Sequence, residues 1–284
     1  MKFEKAKRSK CMMKLCISGA SGSGKTYSAL KISKGLVGNL SKVVVLDTEN
    51  GSSNLYADMG EFSVLTIDAP FTPEKYIQAI NEAVTAGFEC IIIDSLSHEW
   101  FGTGGILDTH AKMEGNSFTN WSKITPRHNA MIQHIVNAPV HIIATLRSKT
   151  EYVMQQKNGK SIPEKVGMKA IQRDDTDYEF TVAFEINRHH KATVSKDRTG
   201  LFHGSSEWML NEQVGESIKS WCTLDEVNDL SMLQKEILEC TDLERVDELI
   251  QNNPTLTELL KKDPAHGKIT YHESTFGLNG STHM

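Results

Sequence analysis

The sequence predicts an α/β fold, in which a mainly parallel central sheet carries helices and is followed by a small helical C-terminal appendage. Three observations predict it. Short apolar runs alternate with helix-length segments up to about residue 200. A glycine-rich octapeptide, Gly19-Ala20-Ser21-Gly22-Ser23-Gly24-Lys25-Thr26, sits between the first such run and the first helix. Near Ser205 the strand-like runs stop and capped helical segments take over. The expected division is therefore 1–204 and 205–284.

The first run, Leu15-Cys16-Ile17-Ser18, reads as a buried parallel strand. Tyr27 to Lys34 carries apolar residues at Ala29, Leu30 and Ile32 and reads as a helix, with Gly35 and Gly38 marking its end. Lys42 to Leu46 is a β-branched strand that ends in Asp47-Thr48-Glu49-Asn50-Gly51, polar residues at a strand's C-terminal edge. Phe62 to Ile67 is a further strand. Thr72-Pro73 opens a helix whose apolar face is Tyr76, Ile77, Ile80 and Val84. Glu89 to Asp94 is a buried strand ending in a carboxylate. The segment Trp100 to Lys123 has no clean period and reads as a long irregular connection. Thr125-Pro126 caps the next helix, and Val140 to Ala144 is another buried strand. Arg147 to Arg173 reads as a second long irregular stretch. Tyr178 to Ile186 and Ala192 to Ser195 are strands, the latter ending in the turn Lys196-Asp197-Arg198-Thr199-Gly200. Beyond Ser205, the pairs Thr223/Glu226, Thr241/Glu244 and Thr255/Glu258 each have the spacing of a capping box and predict three short helices, with a loose tail after about Asp263.

The chain has 284 residues, of which 39% are hydrophobic and 24% charged, ordinary values for a globular protein. No run has the length and apolarity of a membrane span, and no signal-peptide core follows the basic N-terminus, so the expectation is a cytoplasmic protein. The five cysteines are scattered without a C-x-x-C and read as reduced thiols, Cys16 and Cys90 in the core. Net charge is −5 and unevenly spread: residues 205–284 hold 15 acidic against 6 basic side chains, so the remaining chain is mildly basic. That asymmetry suits a polyanion-binding body with an acidic appendage, and equally a solvated acidic tail.

The octapeptide fits G-x-x-x-x-G-K-[ST], the P-loop pattern, in its proper strand–loop–helix setting. Gly19, Ser21, Gly22, Ser23 and Gly24 form a cradle whose backbone N–H groups turn toward phosphate oxygens. Lys25 adds a charge, Thr26 offers a hydroxyl to Mg²⁺, and Tyr27 opens the helix beside them. A Mg²⁺ shell needs a second carboxylate, and Asp94 at the end of Cys90-Ile91-Ile92-Ile93 is the candidate. Residue 95 is Ser, so a base for the attacking water comes from elsewhere. Glu49, at a neighbouring strand tip, is the first candidate and Glu99 the reserve. His189-His190 has no ligand partners at metal-site spacing and reads as surface or phosphate-contacting. His98 and His128 lie near the same edge with no spacing that assigns them a role.

These stretches, with Ile142-Ile143-Ala144-Thr145-Leu146-Arg147, resemble the ATPase core of the RecA family over about Lys14 to Gly200. More narrowly, Asp47 to Ser52 and Ser195 to Gly200 resemble phage-type RecA-like ATPases found beside recombination and single-strand annealing genes. The resemblance implies a RecA-like fold, ATP with Mg²⁺ as cofactors, and assembly into a ring or filament with ATP between subunits. It implies Glu49 as the catalytic glutamate, Lys196 and Arg198 reaching the γ-phosphate from the neighbouring subunit, and the two long segments as DNA-contacting loops. Thr145 departs from the pattern, standing where RecA has a glutamine that couples ATP to DNA. The residues themselves point the same way on DNA. Arg147 to Arg173 holds seven basic side chains (Arg147, Lys149, Lys157, Lys160, Lys165, Lys169, Arg173) against two acidic ones, and Trp100, Phe101, Phe118 and Trp121 offer faces for unpaired bases. The expected function is a Mg²⁺-dependent ATPase that binds single-stranded DNA in recombination, annealing or replication, the appendage docking a protein partner or limiting DNA access. A hexameric helicase-like motor, a small-molecule kinase and an ATP-dependent scaffold without DNA remain as alternatives.

Overall fold

A computed structural model describes residues 11–157, 160–239 and 243–252. The chain divides into two compact units, one spanning Met12–Trp221 and the other drawn from the remaining segments. The expected division at residue 204 falls earlier than this one.

The larger unit is built on an eight-stranded sheet. Its elements run β1 (Lys14–Gly19), α1 (Lys25–Val37), β2 (Val43–Asp47), β3 (Ser63–Thr66), α2 (Pro73–Thr85), β4 (Cys90–Asp94), α3 (Ser97–Phe101), α4 (Ile106–Ala111), α5 (Ser117–Asn137), β5 (His141–Lys157), β6 (Lys160–Ala170), β7 (Val182–Ile186) and β8 (Ala192–Asp197). The strand order is β3-β2-β4-β5-β1-β7-β8, with β6 paired to β5 alone. Every pairing is parallel except β5–β6 and β7–β8. This is the mostly parallel sheet of a P-loop NTPase core.

Alternation along each strand assigns two faces. Cys16, Leu46, Ile91, Ile93, Ile142 and Ala144 join Tyr76, Ile80, Met131 and Ile135 of α2 and α5 in one core. Leu15, Ile17, Val45, Ile92 and Ile143 point to the other face and are fully buried, where α1 packs against β1, β2, β4 and β5. Strands buried on both faces read as continuous apolar runs, which is why they were legible. Cys16 and Cys90 are core residues, and burial pushes both thiols up, that of Cys90 to about 12.

Five expectations change. Gly35 lies inside α1; a Cβ there would stand 1.9 Å from the Glu212 carbonyl oxygen, so this glycine admits a close helix crossing, and Gly38 (φ 80°) ends the helix. Trp100 to Lys123 is not irregular but holds the end of α3, α4 and the first turns of α5. Asn116 caps α5 by accepting from Phe118 N at 2.8 Å, so Pro126 lies within that helix instead of starting it. Arg147 to Arg173 is largely a β-ribbon, β5 and β6 pairing from Ser148/Ala170 to Lys157/Lys160. The Asn158-Gly159 dipeptide between them is the signal that predicts such a hairpin. Finally, Thr223/Glu226 opens no helix: both lie inside α6 (Glu212–Glu239).

In the smaller unit, Leu233 and Ile237 pack with Val246 and Leu249 of α7 (Leu243–Asn252). Thr241, the Thr255/Glu258 pair and the tail after Asp263 lie outside the described residues. Among the described residues no helix is long and apolar enough to cross a membrane.

Buried Lys14 and half-buried His141, at the start of β1 and β5, predict a pH dependence of stability. Lys14 Nζ donates to the carbonyls of Ala138 (2.8 Å) and Val140 (2.5 Å), and Met13 N donates to His141 Nδ1 at 2.9 Å. Burial first, then the Lys14 charge, pulls the His141 imidazole from 6.5 down to about 4. A base with a depressed folded pKa contributes stability fully above its unfolded pKa, and that contribution is lost as pH falls from 6.5 to 4. His141→Asn, which keeps an acceptor near the Nδ1 position and does not titrate, is expected to flatten denaturant-measured stability across that window by up to about 3 kcal/mol relative to the parent chain. Parallel pH profiles of the two chains would rule it out.

Candidate functional site

The C-terminal ends of β1, β4 and β2 bring the cradle, Asp94 and Glu49 to one edge of the sheet. The loop after β1 is held by contacts far apart in sequence. His190, in the β7–β8 turn, donates from Nδ1 to the Ser23 carbonyl at 2.9 Å. A Cβ on Gly19 would meet Ser23 Oγ at 2.5 Å and the Ile186 carbonyl at 2.7 Å, so only glycine fits there. Gly24 takes a left-handed φ of 91° as the residue before α1, with no side-chain cap and no acidic residue in the first turn. The helix N-terminus is thus left to an external anion. Ser21 and Gly22 form the loop's outer turn, and Ser23 Oγ lies buried with no hydrogen-bond partner. Lys25 is buried, its Nζ donating to the Ala20 carbonyl at 3.0 Å. Burial lowers its pKa most; Asp94 opposes this and Arg147 adds to it. A buried cation, an uncapped helix start and an orphaned hydroxyl suit a triphosphate. Tyr27, half exposed on α1, lies 6.2 Å from the Tyr56 ring.

Thr26 and Asp94 meet directly. Thr26 Oγ1 donates to Asp94 Oδ2 at 2.5 Å, and Thr145 Oγ1 donates to Asp94 Oδ1 at 2.5 Å. A hydroxyl beside a buried strand-end carboxylate is the donor set a Mg²⁺ shell uses, directly or through water. Thr145, the departure from the RecA pattern, therefore orients this carboxylate.

Asp47 does not face the cradle. It is fully buried and accepts from Glu49 N (2.7 Å), Gly51 N (3.3 Å), Ser53 N (3.0 Å) and the Ser53 hydroxyl, folding the loop that carries Glu49. That loop is stitched to the end of β4: Thr48 N donates to the Asp94 carbonyl at 2.8 Å and Ser95 N to Thr48 Oγ1 at 2.8 Å. His98 Nδ1 lies 2.7 Å from the same hydroxyl, which gives that histidine a bracing role. Glu49 forms a two-pronged ion pair with Arg147, through Nε to Oε1 at 2.7 Å and through Nη2 to Oε2. Arg147 stands in register with Gly19, so Glu49 is tied to the cradle's edge. No local pattern pairs Arg147 with Glu49, although Arg147 closes the Ile142–Arg147 stretch and opens the basic segment.

Glu99, the reserve base, is fully buried, and His128 Nδ1 lies 3.0 Å from its Oε1 and 3.2 Å from its Oε2, with Gln172 Nε2 3.4 Å away. It braces α3 against α5.

Lys196 and Arg198 lie at the opposite edge. Because β8 runs antiparallel to β7, Lys196 and Asp197 pair with Ala183 and Val182, near the start of β7, and Arg198 N donates to the Thr181 carbonyl at 3.1 Å. Asp197 folds the turn by accepting from Thr199 N (2.7 Å), Gly200 N (3.1 Å) and Phe202 N (2.9 Å). Arg198 is exposed; Lys196 is half-buried, donates to the Tyr178 carbonyl and lies 5.8 Å from that ring's centre. Burial and Arg198 lower its pKa.

Beside the base of the β5–β6 ribbon lies a groove of about 1190 Å³, lined by Trp100, Phe101, Phe118, Trp121, Lys149 and Arg173 among others. Trp100 and Trp121 stack at 6.0 Å, and Phe118 is 86% exposed, a face open to a planar ligand. Lys157, Lys160 and Lys165 lie outside the described side chains.

A sequence model of the family described as "AAA domain" matches residues 12–209, more than half of the chain. A search of curated proteins returns no match.

Proposed function

The chain belongs to the AAA-domain family, and from that premise we propose that it is a Mg²⁺-dependent, RecA-like ATPase that hydrolyses ATP between copies of itself and binds single-stranded DNA in recombination, annealing or replication. The observation that carries the reading is the division of the cationic groups. The cradle, Thr26, Asp94 and Glu49 share one edge of the sheet, whereas Lys196 and Arg198 share the other. The pair therefore serves a phosphate held by a second copy and not its own.

In this reading the cradle of Gly19 to Tyr27 binds the nucleotide, and Lys25 offsets charge on its terminal phosphates. Mg²⁺, when bound, supplies further neutralisation of those oxygens. Thr26 and Asp94 hold it, and Thr145 fixes the carboxylate's orientation. Glu49 accepts a proton from the attacking water as its oxygen bonds to the terminal phosphorus and the bond from that phosphorus to ADP breaks; the proton then passes to the departing phosphate or to solvent. A copy's Arg198, with Lys196 beside it, stabilises the charge spread over the departing phosphoryl oxygens. The groove's aromatic faces and its cations Lys149 and Arg173 suit stacked bases on a threaded phosphate backbone, without sequence preference. The phage-type recombination role rests on the resemblance of Asp47 to Ser52 and Ser195 to Gly200.

ATP turnover per chain, measured against protein concentration with and without single-stranded oligonucleotide, tests this. Turnover is expected to rise steeply with concentration and to increase when oligonucleotide binds, as read by fluorescence anisotropy. A concentration-independent rate removes the shared site, and no binding at low salt removes the DNA half of the reading.

A further inference from the structure

Glu49 carries a contradiction that the structure resolves. As a base it needs a free oxygen, yet both of its oxygens are held by Arg147. A carboxylate gripped by a guanidinium at both oxygens is a poorer proton acceptor, because the cation stabilises its charged form and takes one lone pair on each oxygen.

Arg147 is built into a junction. Its N–H donates to Ser97 Oγ at 2.9 Å and its carbonyl accepts from Ile171 N at 2.6 Å, so the backbone is fixed from both sides. At this residue β5 leaves its pairing with β1 and continues as the ribbon with β6. The guanidinium is one-third exposed and lies 6.0 Å from the centre of the Phe101 ring. Phe101 lines the aromatic groove, as does Lys149, two residues further along the same strand.

We propose that Arg147 is a positioning residue that holds Glu49 idle, and that the phosphate backbone of single-stranded nucleic acid in the groove draws its guanidinium away and frees the carboxylate. This rests on the assignment of Glu49 as base and of the groove as the nucleic-acid site. It gives ATP turnover a gate at the residue where the catalytic edge and the groove adjoin, and it supplies a coupling element in a chain that has Thr145 in place of glutamine.

The test uses the full chain, with Arg147→Ala and Arg147→Lys, and a thymidine oligonucleotide as probe. Arg147→Ala is expected to raise the oligonucleotide-free kcat about fivefold or more, with KM and the affinity for a fluorescent non-hydrolysable ATP analogue within about twofold, and to abolish further stimulation. Arg147→Lys, which grips the carboxylate at one point only, is expected to lie between. It reads the same quantity should the alanine chain fail to fold. An unchanged or lower oligonucleotide-free kcat in both variants, with the oligonucleotide still bound, overturns the restraint while leaving the DNA reading intact. Absence of oligonucleotide binding by the parent chain overturns the release step together with the DNA reading; a raised kcat in Arg147→Ala then still supports the restraint.

Discussion

Arg198→Ala is expected to lower ATP turnover by about 10³-fold or more while nucleotide affinity stays within a few fold. The loss has the size of a removed arginine finger, because a guanidinium aimed at the phosphoryl oxygens acts where charge develops and little in the ground state. The position of Arg198 supports a role outside its own chain's cradle. It is exposed on the strand end opposite the loop, and its backbone is pinned by the Thr181 carbonyl and by the turn that Asp197 organises. Lys196 is already tethered to the Tyr178 carbonyl, so its loss is expected to cost less. Mixing separates a shared site from a folding defect. Arg198→Ala chains keep an intact cradle, and Lys25→Ala chains keep an intact Arg198. Each is expected to be nearly inactive alone, and the mixture to recover a substantial part of the parent rate. Normal turnover by Arg198→Ala, or a mixture as inactive as its parts, would remove the assignment.

Glu49→Gln is expected to reduce turnover by about 10²- to 10⁴-fold, the range of a lost general base, and to leave nucleotide binding in place. The amide keeps the shape of the carboxylate and one hydrogen bond to Arg147, so the loop should hold its fold. The loop's stability resides in Asp47, whose buried oxygens accept four bonds from Glu49, Gly51 and Ser53. A thermal midpoint within a few degrees of the parent, with turnover lost, is the expected pairing. Turnover within threefold of the parent would transfer the base to another residue, with Glu99, paired to His128, the next to test.

Much of the site was readable along the chain. The cradle is contiguous, Asp94 ends an apolar run and Glu49 follows another with two residues between, so their placement at one edge follows from the rule that parallel strands present their C-terminal ends together. The ribbon was missed because its polar, lysine-rich strands show no apolar alternation in sequence, although the Asn158-Gly159 dipeptide is a hairpin signal. The first turns of α5 were missed because a proline in mid-helix drew the expected start to itself, while the cap was Asn116.

The order of apolar runs and the glycine cradle alone determined that this chain would be an α/β phosphate-binding protein, since backbone periodicity and loop conformation are local properties. Tertiary structure decided which side chains meet. Arg147 reaches Glu49 across 98 positions of sequence, Thr145 reaches Asp94 across 51, and Glu99 is withdrawn onto His128 across 29. It also decided that Lys196 and Arg198 face away from their own cradle, because β8 turns back antiparallel. The physical reason is that hydrophobic burial selects strands by pattern, but strand order and direction set the partners of the polar groups at their ends, and no local pattern encodes that order.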